Sequence, residues 1–261
     1  MRVRIGEGVS LNVRVHGEGG SGGPFLLVHG LSSNARLWDG VAERLDGHPV
    51  FAVDLRSHGE SDSPPGGYDT ATAAVDLDAV CRELDLPPAI VAGQSWGGNV
   101  AVQFAARFPA RVRALALIDG GWIDLTTRFS DWQSCAARLR PPDVSGMTAT
   151  ELRARLRAAH PDWAGWAIEA TVFSLAVGLD DRLTRRLPIP RHMRILRSMW
   201  DDPPQPYFPR VEVPVLAVPA GTKTPDLDGL RDVRVRPYPN GDHDLHAQHP
   251  ASIAADLMSL R

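Results

Sequence analysis

The sequence predicts an α/β fold: a mainly parallel sheet with helices on both faces, interrupted once by an inserted helical segment. Three observations lead there. Residues 25–28, 50–53, 89–92 and 114–118 are short runs without a polar side chain, as strands buried on both faces require. Stretches with an apolar repeat near 3.6 residues fall between them, which is the rhythm of strands joined by crossover helices. That rhythm stops at Trp122 and resumes near residue 213.

Taken in order, residues 3–5 and 11–15 alternate apolar and polar, as half-exposed antiparallel strands do. Residues 17–23 are a glycine-rich turn. The run 25–28 ends in His29-Gly30-Leu31-Ser32-Ser33-Asn34, and the run 50–53 in Asp54-Leu55-Arg56-Ser57-His58-Gly59-Glu60-Ser61-Asp62. Residues 72–84 form an amphipathic helix with Leu77, Val80 and Leu84 on one stripe. After the strand 89–92, residues 99–108 form a helix with Val100, Phe104 and Phe108 on one face, and Pro109 stops it. The strand 114–118 runs into Asp119-Gly120-Gly121. Residues 122–208 contain no convincing buried strand, several helical stretches (150–159 and 191–199 among them), and five of the seven tryptophans. Strand-like runs return at 213–218 and 233–235. A last helix starts at Pro250, with Ile253, Leu257 and Leu260 on its apolar face. Residues 1–121 and 209–261 therefore make one core, with 122–208 as a helical cap inserted into it. The return of sheet strands argues against a separate helical domain.

A hydrophobic fraction of 43% over 261 residues is enough for a sizeable core. A net charge of −3 and a pI near 6.3 give no pull toward nucleic acid or an anionic membrane. No apolar run approaches a membrane span, and the N-terminus lacks the apolar region of a signal peptide, so a cytoplasmic location is expected. Cys81 and Cys135 are far apart and read as reduced thiols, not as a disulfide framework or a zinc cluster. No metal or cofactor is expected. Lys223 is the only lysine, and with abundant Arg, Ala, Gly and Pro this is the composition of a high-GC bacterial genome.

The chemistry centres on Gly93-Gln94-Ser95-Trp96-Gly97-Gly98, which fits G-x-S-x-G. The motif lies between a buried strand and a helix, where a sharp turn lifts the serine hydroxyl clear of the sheet. Its glycines are needed because main chain comes too close there for a Cβ. A serine hydroxyl is a weak nucleophile and needs a base, itself oriented by a third group. Of nine histidines, His243 is the candidate base: it follows the last strand and a Gly-Asp turn. His246 and His249 are its neighbours and competitors.

Together with Val28-His29-Gly30, residues 54–62, 114–119 and Gly241-Asp242-His243, this motif makes the sequence resemble the α/β-hydrolase fold family over nearly its whole length. The resemblance implies a serine hydrolase acting on an ester or thioester. It also implies an oxyanion hole made by the backbone N–H groups of Leu31 and Trp96, each donor worth about 2.7–4 kcal/mol in the transition state. His29 and His58 are expected to hold turns, and Asp54 to pair with Arg56. The sequence departs from the family pattern at the acid. Most relatives carry it after the strand that here is 213–218, where Thr224 stands at the expected position. A minority carry it after the preceding strand, which here ends in Asp119. Asp119 is the preferred acid, with Asp226 and Asp228 as alternatives.

A serine at the elbow argues against haloalkane dehalogenase and epoxide hydrolase chemistry. Cofactor-free haloperoxidase and C–C bond hydrolase activities use the same constellation and stay open, as does a non-catalytic small-molecule binder on this fold. The substrate is expected to be a small to medium, largely apolar molecule, with Trp122 and Trp166 in its pocket. Arg153, Arg155 and Arg157 read either as a solvated face or as a contact for a phosphate-bearing acyl carrier. The sequence specifies no oligomeric state.

Overall fold

A computed structural model describes residues 1–6, 8–144 and 146–260. The chain opens with β1 (Arg2–Gly6) and β2 (Val9–His16), an antiparallel pair. It continues through β3 (Phe25–Val28), the one-turn helix α1 (Asp39–Ala42), β4 (Val50–Val53) and α2 (Thr70–Glu83). Next come β5 (Ala89–Gln94), α3 (Trp96–Arg107) and β6 (Val112–Ile118). An insertion follows: α4 (Trp132–Leu139), α5 (Ala149–Ala159), α6 (Gly165–Phe173), the hairpin β7 (Leu175–Val177) and β8 (Leu183–Arg185), and α7 (Ile189–Asp201). The chain returns to the sheet with β9 (Val215–Val218) and β10 (Val233–Val235), and closes with α8 (Leu245–Gln248) and α9 (Pro250–Met258).

The main sheet has the order β1-β2-β4-β3-β5-β6-β9-β10, parallel from β4 to β10. Its centre is apolar because both faces are covered. Leu26 and Val28 of β3 face the layer of α2 and α3, while Phe25 and Leu27 face that of α1, α8 and α9. All four are fully buried. Helix α2 starts two residues before the expected point because Asp69 caps it, its side chain accepting from the Thr72 N–H. The inserted segment is not purely helical: β7 and β8 pair within it, away from the main sheet.

The loop after β4 is braced differently from the expected Asp54–Arg56 pair. Arg56 instead reaches Asp76 on α2, with N···O distances of 2.5 and 2.8 Å. Buried Asp54 accepts from the Asn12 amide and from the backbone N–H groups of Ala35 and Glu60, at 2.7–3.0 Å. Asp54 thus ties together β2, the segment after β3 and its own loop. Replacing Asp54 with Ala would leave these donors without an acceptor, at about 1–3 kcal/mol per buried group. Asp54→Ala should therefore lower the urea-unfolding free energy by more than about 3 kcal/mol. A loss below about 1 kcal/mol would show that the carboxylate is not a structural tie.

Candidate active site

Three adjacent strands deliver the site. Parallel register sets Gln94 opposite Ile118, so the next residues, Ser95 and Asp119, leave β5 and β6 at the same level. Their main chains stay linked, Ser95 N–H donating to the Ile118 carbonyl at 3.0 Å and Asp119 N–H to that of Val218 at 2.8 Å. Ser95 has φ +53° and ψ −124°, outside the comfortable region for an L-residue, at a cost of about 1–3 kcal/mol. Packing holds it there. A Cβ on Gly93 would lie 2.2 Å from the Gly97 carbonyl oxygen, and one on Gly97 would lie 2.5 Å from the carbonyl oxygens of Val28 and His29. A Cβ on Gly30 would meet the Ser95 Cβ at 3.0 Å, so the β3 turn lies directly against the serine. In that turn the Leu31 N–H, and at the start of α3 the Trp96 N–H, make no hydrogen bond to protein among the described residues.

His243 comes from the loop between β10 and α8. Its Nε2 is 2.9 Å from the Ser95 Oγ, and its Nδ1 is 2.6 Å from Asp119 Oδ2. The arrangement fits one tautomer, with Nδ1–H donating to Asp119 and Nε2 accepting from the serine hydroxyl. The other Asp119 oxygen accepts from the Ala220 N–H at 3.0 Å. The segment after β9 therefore supplies a donor to Asp119. Asp226 instead accepts from the Asp228 N–H within its own turn. His246 is fully buried against Trp38, with ring centroids 4.5 Å apart, and His249 packs on Tyr238. Neither histidine is bonded to Ser95.

Two buried amides fix this frame. Gln94 donates to the His243 carbonyl at 2.8 Å. Asn99 accepts from the Gly121 and Ile123 N–H groups and donates to the Ile123 carbonyl, clamping the chain after Asp119 onto α3. Asp242 is held from the insertion by Trp163 Nε1 at 2.9 Å and by His160.

A cavity of about 230 Å³ opens onto Ser95 and His243, lined also by Leu31, Trp96, Leu125, Leu196 and Met199. Trp122 and Trp166 are not among its lining residues, and the pocket expectation is corrected on both. Trp122 lines an adjoining cavity that also touches Asp119. Trp166 is packed over Gly40, where a Cβ would meet its ring at 2.2 Å, and lines a separate groove with Phe173. The residues that sequence reasoning missed include His192, Leu196 and Met199, spaced i, i+4, i+7 on α7. That helical stripe was a signal available in the sequence. Gln94, inside the motif itself, gave none.

The electrostatics separate His243, whose side chain is 55% exposed, from four buried histidines. Burial opposes its protonation, but the Asp119 hydrogen bond and the charges of Asp244 and Asp119 outweigh that and the opposing charge of Arg128. Its pKa therefore lies above 6.5. Burial pushes His29 and His192 down to about 4, and His58 and His246 down to about 3. His29 Nε2 accepts from the Leu55 N–H and His58 Nε2 from the Ser32 N–H, so both neutral rings hold turns around the site.

The α/β-hydrolase fold family model matches residues 23–162, and the chain belongs to that family. A 2-(acetamidomethylene)succinate hydrolase of Mesorhizobium japonicum is 40% identical over 119 residues, 45% of this chain and 41% of that protein. An uncharacterized protein of Mycobacterium tuberculosis is 39% identical over 105 residues, 40% of this chain and 31% of that protein. These matches thus span less than half the length of either relative. Among solved structures, an E-2-(acetamidomethylene)succinate hydrolase superposes with a TM-score of 0.82 at 26% identity, covering 100% of this chain and 97% of that one. The thioesterase domain from the curacin biosynthetic pathway superposes at 0.77 and 18% identity, covering 99% and 98%, a likeness of fold. No helix among the described residues is long and apolar enough to cross a membrane.

Two titrations follow. The His243 ring signal in NMR should shift with a midpoint above pH 6.5 and move down in Asp119→Asn; an unmoved midpoint would break the link between the two residues. The four buried histidines with lowered pKa values, His29, His58, His192 and His246, act on stability with the opposite sign to a raised group. Below pH 6.5 the unfolded chain takes up protons that the folded chain refuses, so stability falls as pH drops from 6.5 toward 4. Each ring costs about 1.4 kcal/mol per pH unit in that window. Unfolding free energy should drop steeply from pH 6.5 to 5, less steeply in His246→Leu. A flat profile would mean that these rings charge in the fold.

Proposed function

We propose that the protein is a serine hydrolase cleaving an ester or thioester of a small to medium, largely apolar acyl compound through an acyl-enzyme on Ser95. The observation that carries this reading is the continuous chain Ser95–His243–Asp119, with links of 2.9 and 2.6 Å.

Ser95 Oγ attacks the acyl carbon as its proton passes to His243 Nε2. Asp119 stabilises the imidazolium that forms and keeps the ring oriented. The unpaired N–H groups of Leu31 and Trp96 receive the oxyanion. Collapse of the tetrahedral species breaks the bond to the leaving group, which takes the proton from His243. Water then enters, His243 removes its proton, and the acid departs with Ser95 restored. Residues 122–208 act as the cap that shapes the acyl site through α7. The family membership and the full-length superposition on an E-2-(acetamidomethylene)succinate hydrolase support a hydrolase. The apolar lining of the Ser95 cavity supports the substrate's apolar body.

Ser95→Ala should abolish covalent labelling by a fluorophosphonate probe while the protein keeps its fold. Asp119→Asn should reduce kcat on a short p-nitrophenyl ester by orders of magnitude with little change in Tm, whereas Asp226→Asn and Asp228→Asn stay close to the parent. Full labelling of Ser95→Ala, or a fully active Asp119→Asn protein, would remove the assignment concerned.

A further inference from the structure

The cavity on Ser95 carries an asymmetry of charge that an apolar acyl substrate does not use. Its lining is apolar apart from Ser95, His243, His192 and Arg128, and no carboxylate lines it. Arg128 is the one permanent charge there. Its positive charge reaches the reacting centre, since it opposes protonation of His243.

Arg128 is also unspent. Among the described residues its guanidinium is in no ion pair, side-chain hydrogen bond or ring contact. Carboxylates are near but occupied elsewhere. On the adjoining cavity, which Arg128 also lines, Asp119 serves His243 and Ala220. Asp124 accepts from the Thr126 N–H and hydroxyl, and Asp226 from the Asp228 N–H. A second polar group faces the same space. His192 is only 7% exposed. Its Nδ1 is 2.8 Å from the Ser32 Oγ, and the ring also feels the Leu139 backbone carbonyl. Its lowered pKa makes it a neutral group at pH 7.

We infer that the substrate carries a carboxylate in addition to the scissile acyl bond, and that Arg128 binds it. This rests on the hydrolase reading above and adds the substrate class to it: a short acyl compound with one anionic end. The planar guanidinium matches a carboxylate with two parallel hydrogen bonds. The apolar wall of Leu125, Leu196 and Met199 takes the chain between the two ends. Arg128 here is a binding and specificity residue; it takes no part in proton transfer.

The test compares monomethyl glutarate with dimethyl glutarate, the same skeleton with its charge masked, by following acid release. A hydrogen bond to a charged group contributes enough to change an equilibrium by about tenfold or more. Wild-type kcat/KM should therefore favour the monoester by about tenfold, mainly through KM. That ratio should collapse by about tenfold in Arg128→Leu and be partly kept in Arg128→Lys. A wild-type ratio near one, or a ratio unchanged in Arg128→Leu, overturns the inference while ester turnover itself leaves the hydrolase reading intact. Calorimetric binding of glutarate to the Ser95→Ala protein gives an independent readout. Binding that needs Arg128 upholds the inference even if neither ester is hydrolysed, in which case the hydrolase reading falls alone. Absence of glutarate binding, or equal Arg128-dependent binding of inorganic phosphate, overturns it.

Discussion

The conformation of Ser95 is the constraint on which the site depends. A non-glycine residue at φ +53° is strained, and about 1–3 kcal/mol must be offset by its surroundings. The surroundings are backbone, not side chain. The elbow is wedged between the turn after β3 and the turn after β6, and a Cβ on Gly120 would sit 2.1 Å from the Ser95 carbonyl oxygen. Central placement in the sheet makes this possible. β5 pairs with β3 on one side and β6 on the other, so the two turns close on the serine from both flanks. An edge strand would have only one such wall.

The same register explains the position of the acid. Asp119 leaves β6 one strand from Ser95 and, at φ +41°, turns its carboxylate back across the sheet edge. The strand beyond it, β9, then brings Ala220 alongside to donate its N–H. Here β6 provides the carboxylate and the end of β9 provides a backbone donor to it. The short loops around Asp119, Ala220 and Tyr238 keep the His243 segment close: Tyr238 N–H bonds to the Pro219 carbonyl and Gly221 N–H to that of Tyr238.

What could be read from the sequence follows from the range of the interactions involved. The strands, the elbow and His243 depend on local pattern and on the order of strands in a sheet, and both leave marks in composition. Asp119 could be singled out because it ends a fully apolar run beside the nucleophile strand. The lining of the cavity depends on how inserted helices pack, and there the tryptophans misled. Trp166 fills the hole above Gly40, far along the chain from it, and large rings serve this packing role more often than they face a ligand. The pairing of Arg56 with Asp76 in place of Asp54 has a similar cause. Buried Asp54 is saturated by backbone donors that only the tertiary fold supplies.

The insertion is tied to the catalytic frame, not draped over it. Its loop before α6 grips Asp242 through His160 and Trp163, one residue before His243. Its α6 end receives the Asn34 amide at the Ala170 carbonyl and the Ser174 hydroxyl. Its α7 reaches Ser32 through His192 and Ser57 through Arg191. These contacts meet the loops after β3 and β4 and the loop carrying His243. Each bond contributes about 1 kcal/mol, and several must break together for the insertion to swing away. The segment that lines the Ser95 cavity is therefore coupled to the turn carrying Leu31 and to the loop carrying His243. A substitution in it that shifts α7 also shifts the turn after β3, through the His192–Ser32 contact.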